Sequence, residues 1–194
     1  GTVDFNSLRA AGYSFAIIRL SGGTTKDPKF ETNYKKAKAA GMKVAVYCVT
    51  TATSAAAAEN EAATAISYLN GRSVDYPVIY QIPYESFFYG GTPAERSKRV
   101  LAFKNKITAA TYNNGTTNVN YGFALGAEKS WLMNTGASYF DLTTLGAQNL
   151  WVTTTGVESA GSGYTGSGKV IMWRYTNQGT ANGISGKCNI DISY

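Results

Sequence analysis

A strand-like apolar run in this chain ends in side chains that could do chemistry. Residues 77–85 read PVIYQIPYE, and strand alternation puts Gln81, Pro83 and Glu85 on one face. A buried parallel strand delivers such end-of-strand side chains to an active site. General acid–base catalysis there would use carboxyl groups, but Gln81 carries an amide and Pro83 an imino ring. Since Pro83 is expected to end the strand, Glu85 is predicted to lie in a loop.

The composition removes several other kinds of chemistry. The 194 residues contain no His, which is the commonest general base and metal ligand. Cys48 and Cys188 lie far apart and show no metal-ligand spacing. Free thiols are favoured over a disulfide, because Cys usually behaves as a small buried hydrophobe. We therefore expect no metal and no cofactor.

The chain is basic, with a net charge of +6 and a pI of about 9.2. Such a surface favours polyanions, including acidic wall polymers, although a merely solvated positive face is the commoner explanation. Nucleic acid is not expected as a partner, since the Lys and Arg residues are scattered and no RNA-binding or helix-turn-helix motif accompanies them. No apolar run is long enough to span a membrane.

Strand-like runs alternate with helical patterns through the first two thirds of the chain. The helices are predicted to begin at Asp27 (as N-cap before Pro28), at Ser54, and at the capping box formed by Thr92 and Glu95. Strands are predicted at residues 14–20, 43–49, 76–82, 118–125, 148–154, 169–175 and 187–193. The Gly/Ser-rich loop 156–168 is interpreted as a hairpin connection.

This alternation predicts an α/β fold with a parallel sheet in one domain, residues 1–194. A barrel and a doubly wound sheet both fit the pattern. The absence of G-x-G-x-x-G and P-loop motifs weakens the nucleotide-binding sheet. Because 194 residues are few for eight full strand–helix units, a barrel whose last strands lack helices fits better.

Several segments, in order and spacing, resemble one known family. They are YSFAIIR (13–19), KDPKFETN (26–33), AAGMKVAVY (39–47), ATSAAAAENEAA (52–63), MWRYT (172–176), GISG (183–186) and NIDI (189–192). The family is glycoside hydrolase family 25, the Chalaropsis-type lysozymes that cleave peptidoglycan at N-acetylmuramic acid.

The resemblance implies an irregular TIM-like barrel of five strand–helix units followed by three strands. It also implies that the family's first strand, which carries an active-site Asp, has no counterpart here, since residues 1–5 align just after it. The strands at 14–20 and 188–193 are then expected to expose unpaired edges. We expect a barrel that is open there, or one whose gap another segment fills.

The resemblance further implies that the family's catalytic chemistry is missing. Its Asp-x-Glu pair on the fourth strand corresponds to Gln81 and Pro83, and of four expected acidic positions only Asp191 remains. Glycoside cleavage needs an acid for the leaving oxygen and usually a second carboxylate. A displaced acid, Glu85 acting with Asp191, is an alternative, although a loop glutamate is more often simply solvated.

Aromatic side chains on strands or at their ends could still hold a sugar ring, because sugars stack on aromatic faces. The candidates, with Asp191 as a further ligand or a structural residue, are Tyr47, Tyr80, Tyr84, Trp151 and Trp173. For any one of them, core packing is an equally plausible role.

The sequence thus favours a catalytically inactive lysozyme-like domain that binds peptidoglycan or a related saccharide. As such a domain, it is expected to be secreted or held at the cell surface. Two alternatives stay open: an active muramidase that uses Glu85 and Asp191, and a structural or protein-interaction module of a larger surface protein.

Overall fold

The computed structural model describes residues 2–83, 90–113, 118–132, 139–153 and 166–194. Its strands are β1 (Phe15–Gly22), β2 (Thr25–Lys26), β3 (Lys43–Val49), β4 (Val78–Gln81), β5 (Thr111–Asn113), β6 (Asn118–Asn120), β7 (Phe123–Glu128), β8 (Asn149–Thr153), β9 (Lys169–Gly179) and β10 (Cys188–Ser193). Its helices are α1 (Phe5–Ala10), α2 (Phe30–Ala39), α3 (Ala55–Leu69), α4 (Pro93–Ala109), α5 (Lys129–Leu132) and α6 (Leu142–Leu145). None of these helices is long and apolar enough to cross a membrane.

The main sheet has eight strands in the order β10-β9-β8-β7-β4-β3-β1-β2. Its six central strands from β9 to β1 pair in parallel, and β10 runs antiparallel to β9. The predicted parallel α/β sheet is therefore confirmed. The predicted hairpin at 156–168 is wrong, because β8 and β9 are parallel and a hairpin turn joins only antiparallel strands.

Two of the predicted helix starts are confirmed. The Ser54 hydroxyl accepts a hydrogen bond from the Ala57 amide, and Thr92 and Glu95 form the reciprocal capping box. The predicted start at Asp27 is wrong, since α2 begins at Phe30 after Lys29. The Asp27 carboxylate instead accepts hydrogen bonds from the Lys29 amide at 2.8 Å and from Arg19 Nε at 2.6 Å.

The strand predicted at 118–125 is two strands in the structure. β6 pairs antiparallel with β5 in a separate two-stranded sheet, and β7 follows as a central strand of the main sheet. Asn120 and Phe123 are separated by Tyr121 and Gly122, and this break ends one sheet before the other begins. β7 therefore extends to Glu128, beyond the predicted end.

The sheet curls around a small apolar interior. Ala45, Ile79, Ala124, Trp151 and Met172 form this inner cluster. A larger cluster packs the outer face of the sheet against the helices. Strand alternation divides neighbouring residues between the two clusters, so that Ile79 faces inward and Tyr80 outward. The mouth of the curled sheet lies at the carboxyl ends of the parallel strands.

The barrel is open between β10 and β1, which is one of the two outcomes that the resemblance implies. Among the described residues β10 pairs only with β9, and β1 pairs with β3 and, at Ser21 and Gly22, with β2. Among the described residues no strand joins β10 to β1. A groove of about 660 Å³ lies between these two edges. Cys48 and Cys188 are free thiols, which confirms that prediction.

Candidate functional site

Trp151, in the middle of β8, is the largest side chain of the cluster that fills the barrel interior. Its partner across the ladder is Gly126, which pairs in turn with Gln81. A Cβ at Gly126 would lie 3.0 Å from Trp151 Cε3, which is tighter than nine in ten real Cβ contacts. The glycine thus gives the indole ring room inside the barrel, and Trp151 is completely buried.

Asp191 is held by two neighbours in the structure. Trp151 Nε1 donates a hydrogen bond of 2.8 Å to Asp191 Oδ1, and Arg174 Nε lies 3.5 Å from the same oxygen. The Arg174 guanidinium also stacks over the Trp151 ring, 4.4 Å from its centroid. Burial raises the pKa of Asp191, while Arg174 and the Trp151 hydrogen bond oppose that rise. Asp191 Oδ1 is therefore taken up by contacts with Trp151 and Arg174 inside the barrel.

Tyr47 is the predicted sugar-binding aromatic that the structure places on the groove. Its ring is half-buried and lies 5.7 Å from the Trp151 ring, tilted by 59°. It lines the groove together with Arg19, Arg174 and Asp191. Burial raises the pKa of the Tyr47 hydroxyl, and Arg19 and Arg174 partly offset that effect. One aromatic face and two guanidinium groups thus meet at this opening.

Tyr80 and Trp173 lie on the other face of the sheet, away from the mouth. Tyr80 is fully buried and stacks on Phe103 of α4, with 4.0 Å between the ring centroids. Trp173 is 1% exposed and belongs to the same outer cluster. The geometry leaves both outside the candidate site, and core packing accounts for them.

The positions at the end of β4 lie at the mouth. Gln81 is the last residue of β4 and is half-buried, as is Pro83. The Ile82 amide donates a hydrogen bond of 2.8 Å to the Gly126 carbonyl, so the chain still follows β7 at that point. The predicted site residues Tyr84 and Glu85 lie outside the described residues.

Glu128 is a carboxylate at the mouth that the sequence reasoning missed. As the last residue of β7 it pairs with Thr153, which pairs with Arg174, which pairs with Asp191. Paired residues share a face, so the four side chains form one row across β7, β8, β9 and β10. The Thr153 hydroxyl hydrogen bonds to the Glu128 carboxylate, and burial raises the Glu128 pKa above its ordinary value.

The same register places Glu128 beside Pro83. Gln81 pairs with Gly126, and two residues further along both strands stand Pro83 and Glu128. Alternation of Ala124, Gly126 and Glu128 on the inner face was the signal that could have found this carboxylate. In the described part of the chain, no three His, Cys, Asp or Glu side chains are grouped to hold a metal ion.

Known structures share this architecture. The bacterial lysozyme from Streptomyces coelicolor superposes with a TM-score of 0.76 at 23% identity, covering 100% of this chain and 87% of that one. The CTP1L endolysin superposes with a TM-score of 0.78 at 22% identity, over 100% of this chain and 63% of that one.

The modular autolysin LytC from Streptococcus pneumoniae, solved in complex with a synthetic peptidoglycan ligand, gives a TM-score of 0.73 at 20% identity. The match covers 97% of this chain and 42% of that one. At these identities the likeness establishes the fold.

No curated protein matches the chain. A family model does match: "Glycosyl hydrolases family 25" covers residues 1–184. That span includes the strands from β1 to β9, the half-buried mouth residues Gln81 and Glu128, and the buried Trp151. The chain therefore belongs to glycosyl hydrolases family 25.

Proposed function

We propose that this domain binds the glycan of cell-wall peptidoglycan, or a closely related saccharide, at the mouth of its barrel. We propose equally that it does not hydrolyse that glycan through the acid pair of its family. The observation that carries the proposal is the end of β4, where Gln81 offers an amide and Pro83 a ring without a proton to give. The resemblance to the family aligns these two positions with its Asp-x-Glu pair.

The contacts of Asp191 within the protein also support the absence of the family's acid-catalysed hydrolysis. One of its oxygens is shared between Trp151 and Arg174, and its side chain is only 9% exposed. General acid catalysis typically contributes about 10²–10⁴-fold to a rate. Without an acid at position 83, the family's own mechanism lacks that contribution, while binding needs no proton donor.

Saccharide binding is supported by the aromatic and basic side chains that line the groove. Tyr47 offers a half-buried ring beside the groove of about 660 Å³, and aromatic rings stack on sugar faces. Arg19 lies at the same opening, and its side chain is 52% exposed. A basic domain with a charge of +6 is also attracted to anionic wall polymers.

We propose that the domain acts at the cell wall, as a secreted or surface-held unit. Family membership supports this, as do neighbours that are an endolysin and a modular autolysin. The autolysin comparison, which covers 42% of that chain, is also consistent with a unit that works beside other domains.

A pull-down with purified insoluble peptidoglycan tests the binding. We expect the wild-type domain to sediment with the polymer, and Tyr47→Ala to lose at least ten-fold in affinity. Tyr194→Ala is the matched control, because Tyr194 is exposed and its amide donates to the Ile171 carbonyl near the start of β9, at the opposite end of the strand from the mouth. Binding that survives high salt favours ring stacking, since salt screens charge attraction.

Absence of sedimentation would contradict the proposal and favour the structural or protein-interaction role. Equal binding of Tyr47→Ala and wild type would place the glycan elsewhere on the domain.

A further inference from the structure

An arginine and a tyrosine stand side by side at the groove. Arg19 on β1 and Tyr47 on β3 are partners in the register of this parallel pair, and both side chains line the groove of about 660 Å³. The pairing of β1 with β3 shifts by one residue directly after Arg19. Such irregularities are common beside binding sites, where they re-aim a side chain. The groove therefore receives a guanidinium group next to an aromatic ring.

Arg19 is anchored at one end of its guanidinium group only. Its Nε donates a hydrogen bond of 2.6 Å to Asp27 Oδ2, and the guanidinium makes no other hydrogen bond or ion pair with the described residues. Asp27 Oδ1 accepts from the Lys29 amide at 2.8 Å, so both oxygens of this carboxylate are engaged. The Asp27 side chain is 11% exposed and that of Arg19 is 52% exposed. The two terminal nitrogens of Arg19 are thus free to bind a ligand.

Tyr47 also has a polar atom free to bind a ligand. Its ring is half-buried against the Trp151 ring, whereas its hydroxyl makes no hydrogen bond within the described part of the chain. A sugar stacked on the Tyr47 ring would therefore have the Arg19 guanidinium beside it, in the next strand.

The charges that line the groove leave room for an anion. Among the described residues they are the cations Arg19, Lys29 and Arg174 and the carboxylates Asp27 and Asp191. Each carboxylate is paired with one of the two arginines. Lys29 is exposed and forms no ion pair with the described residues. The lining therefore carries one more positive charge than negative charge, and its carboxylates are already paired.

We propose that Arg19 binds a free carboxylate on the sugar that stacks on Tyr47, and that the domain thereby prefers glycan whose muramic acid lactyl groups carry no peptide. A guanidinium group binds a carboxylate through two parallel charge-assisted hydrogen bonds. In peptide-bearing glycan the lactyl group ends in a neutral amide, which cannot accept this pair of bonds. The proposal rests on the proposed function and deepens it by naming the form of the glycan that is bound.

The preferred glycan must be supplied by a reaction of the amidase class. In such a reaction water cleaves the amide bond between the lactyl carbonyl and the first amino acid. The carboxylate stays on the sugar and the amine leaves with the peptide. The domain is therefore expected to bind wall glycan after its peptides have been removed.

The first test leaves the protein unchanged and alters the glycan. Titration calorimetry compares soluble, peptide-free glycan strands that keep their lactyl carboxylates with the same strands after coupling to methylamine, which turns each carboxylate into a neutral amide. We expect wild type to bind the carboxylate form at least about ten-fold more tightly. An oligomer of uronic acids tests other sugar carboxylates, and we expect it to bind more weakly than the lactyl form.

The second test alters Arg19. Arg19→Gln should weaken binding of the carboxylate form at least about ten-fold and bring the two forms to equal affinity. Arg19→Lys should keep part of the preference, because it keeps the charge but not the planar pair of donors. Arg9→Gln is the matched control: it removes the same charge from an exposed residue of α1 that does not line the groove, so the preference should persist.

Equal affinity of wild type for the two forms would overturn this inference and leave the proposed function standing. A preference that persists in Arg19→Gln would overturn the role of Arg19, and tighter binding of the uronic acid oligomer would overturn the lactyl group as the ligand. Failure of wild type to bind either form of the glycan would overturn both this inference and the proposed function.

Discussion

Trp151 and Asp191 hold each other inside the barrel through a single hydrogen bond, in which Trp151 Nε1 donates to Asp191 Oδ1 at 2.8 Å. The tryptophan is completely buried and the aspartate nearly so. A charged group in such a place is tolerated only when it is paired and hydrogen-bonded. Asp191 is therefore a structural support of the barrel interior.

Trp151→Phe should lower the free energy of unfolding by about 2–4 kcal/mol, because it removes ring volume and leaves Asp191 without its indole donor. Trp173→Phe is the matched control. Trp173 is equally buried, but its Nε1 has no hydrogen-bond partner among the described residues. Removing that unsatisfied N–H should make the control substitution less costly. Urea unfolding of the two variants checks the difference, and equal losses would argue against a stabilising Trp151–Asp191 bond.

The raised pKa of Glu128 predicts a pH-dependent stability. Its folded-state pKa lies above the ordinary value of 4.5, so the folded protein binds the proton more tightly than the unfolded chain. The resulting stabilisation is complete below pH 4.5 and is lost as pH rises through the folded-state pKa. The unfolding free energy of wild type, minus that of Glu128→Gln, should thus decrease as pH increases from about 4 to about 7. A difference that stays flat or increases would contradict the burial of Glu128.

The network around Glu61 predicts a purely structural effect for Tyr80. Glu61 is 3% exposed and accepts hydrogen bonds from the Tyr80 hydroxyl at 2.9 Å and the Thr50 hydroxyl at 2.8 Å. Tyr80→Phe removes one donor from this buried carboxylate and should destabilise the protein by about 1–3 kcal/mol, with no change in peptidoglycan binding. Thermal unfolding and the pull-down measure the two effects.

Tyr68→Phe provides the comparison for that substitution. The Tyr68 hydroxyl donates to the Thr24 carbonyl at an exposed site. We therefore expect Tyr68→Phe to lower the free energy of unfolding by no more than about 0.5 kcal/mol. A loss of glycan binding in Tyr80→Phe would place Tyr80 back in the site.

The fold was predictable from the sequence because several kinds of signal agree along the chain. Apolar strand runs such as 43–49 alternate with helices whose starts at Ser54 and Thr92 carry clear capping residues. The start of α2 was mispredicted because the Asp27 carboxylate also binds Arg19, eight residues earlier, a tertiary contact that local pattern does not reveal. The parallel pairing of β8 and β9 was also not predictable, because the low-complexity loop between them in the sequence does not indicate strand direction.

The site was harder to predict, because both faces of these strands are buried. Apolar residues alternate with other apolar residues along β4, so nothing in the sequence says that Ile79 faces the barrel interior and Tyr80 the helices. Glu128 was missed because the end of β7, Leu-Gly-Ala-Glu, has no β-branched or aromatic residue and does not resemble a strand. Its glycine is there because the Trp151 ring packs directly against it.

The most direct test of glycan binding at the mouth is titration calorimetry with a soluble, uncrosslinked peptidoglycan glycan fragment, which avoids the multiple contacts of an insoluble polymer. We expect saturable one-site binding by wild type and by Tyr194→Ala, and at least ten-fold weaker binding by Tyr47→Ala. No heat of binding for wild type, or an unchanged affinity for Tyr47→Ala, would contradict the assignment of the barrel mouth as the saccharide site.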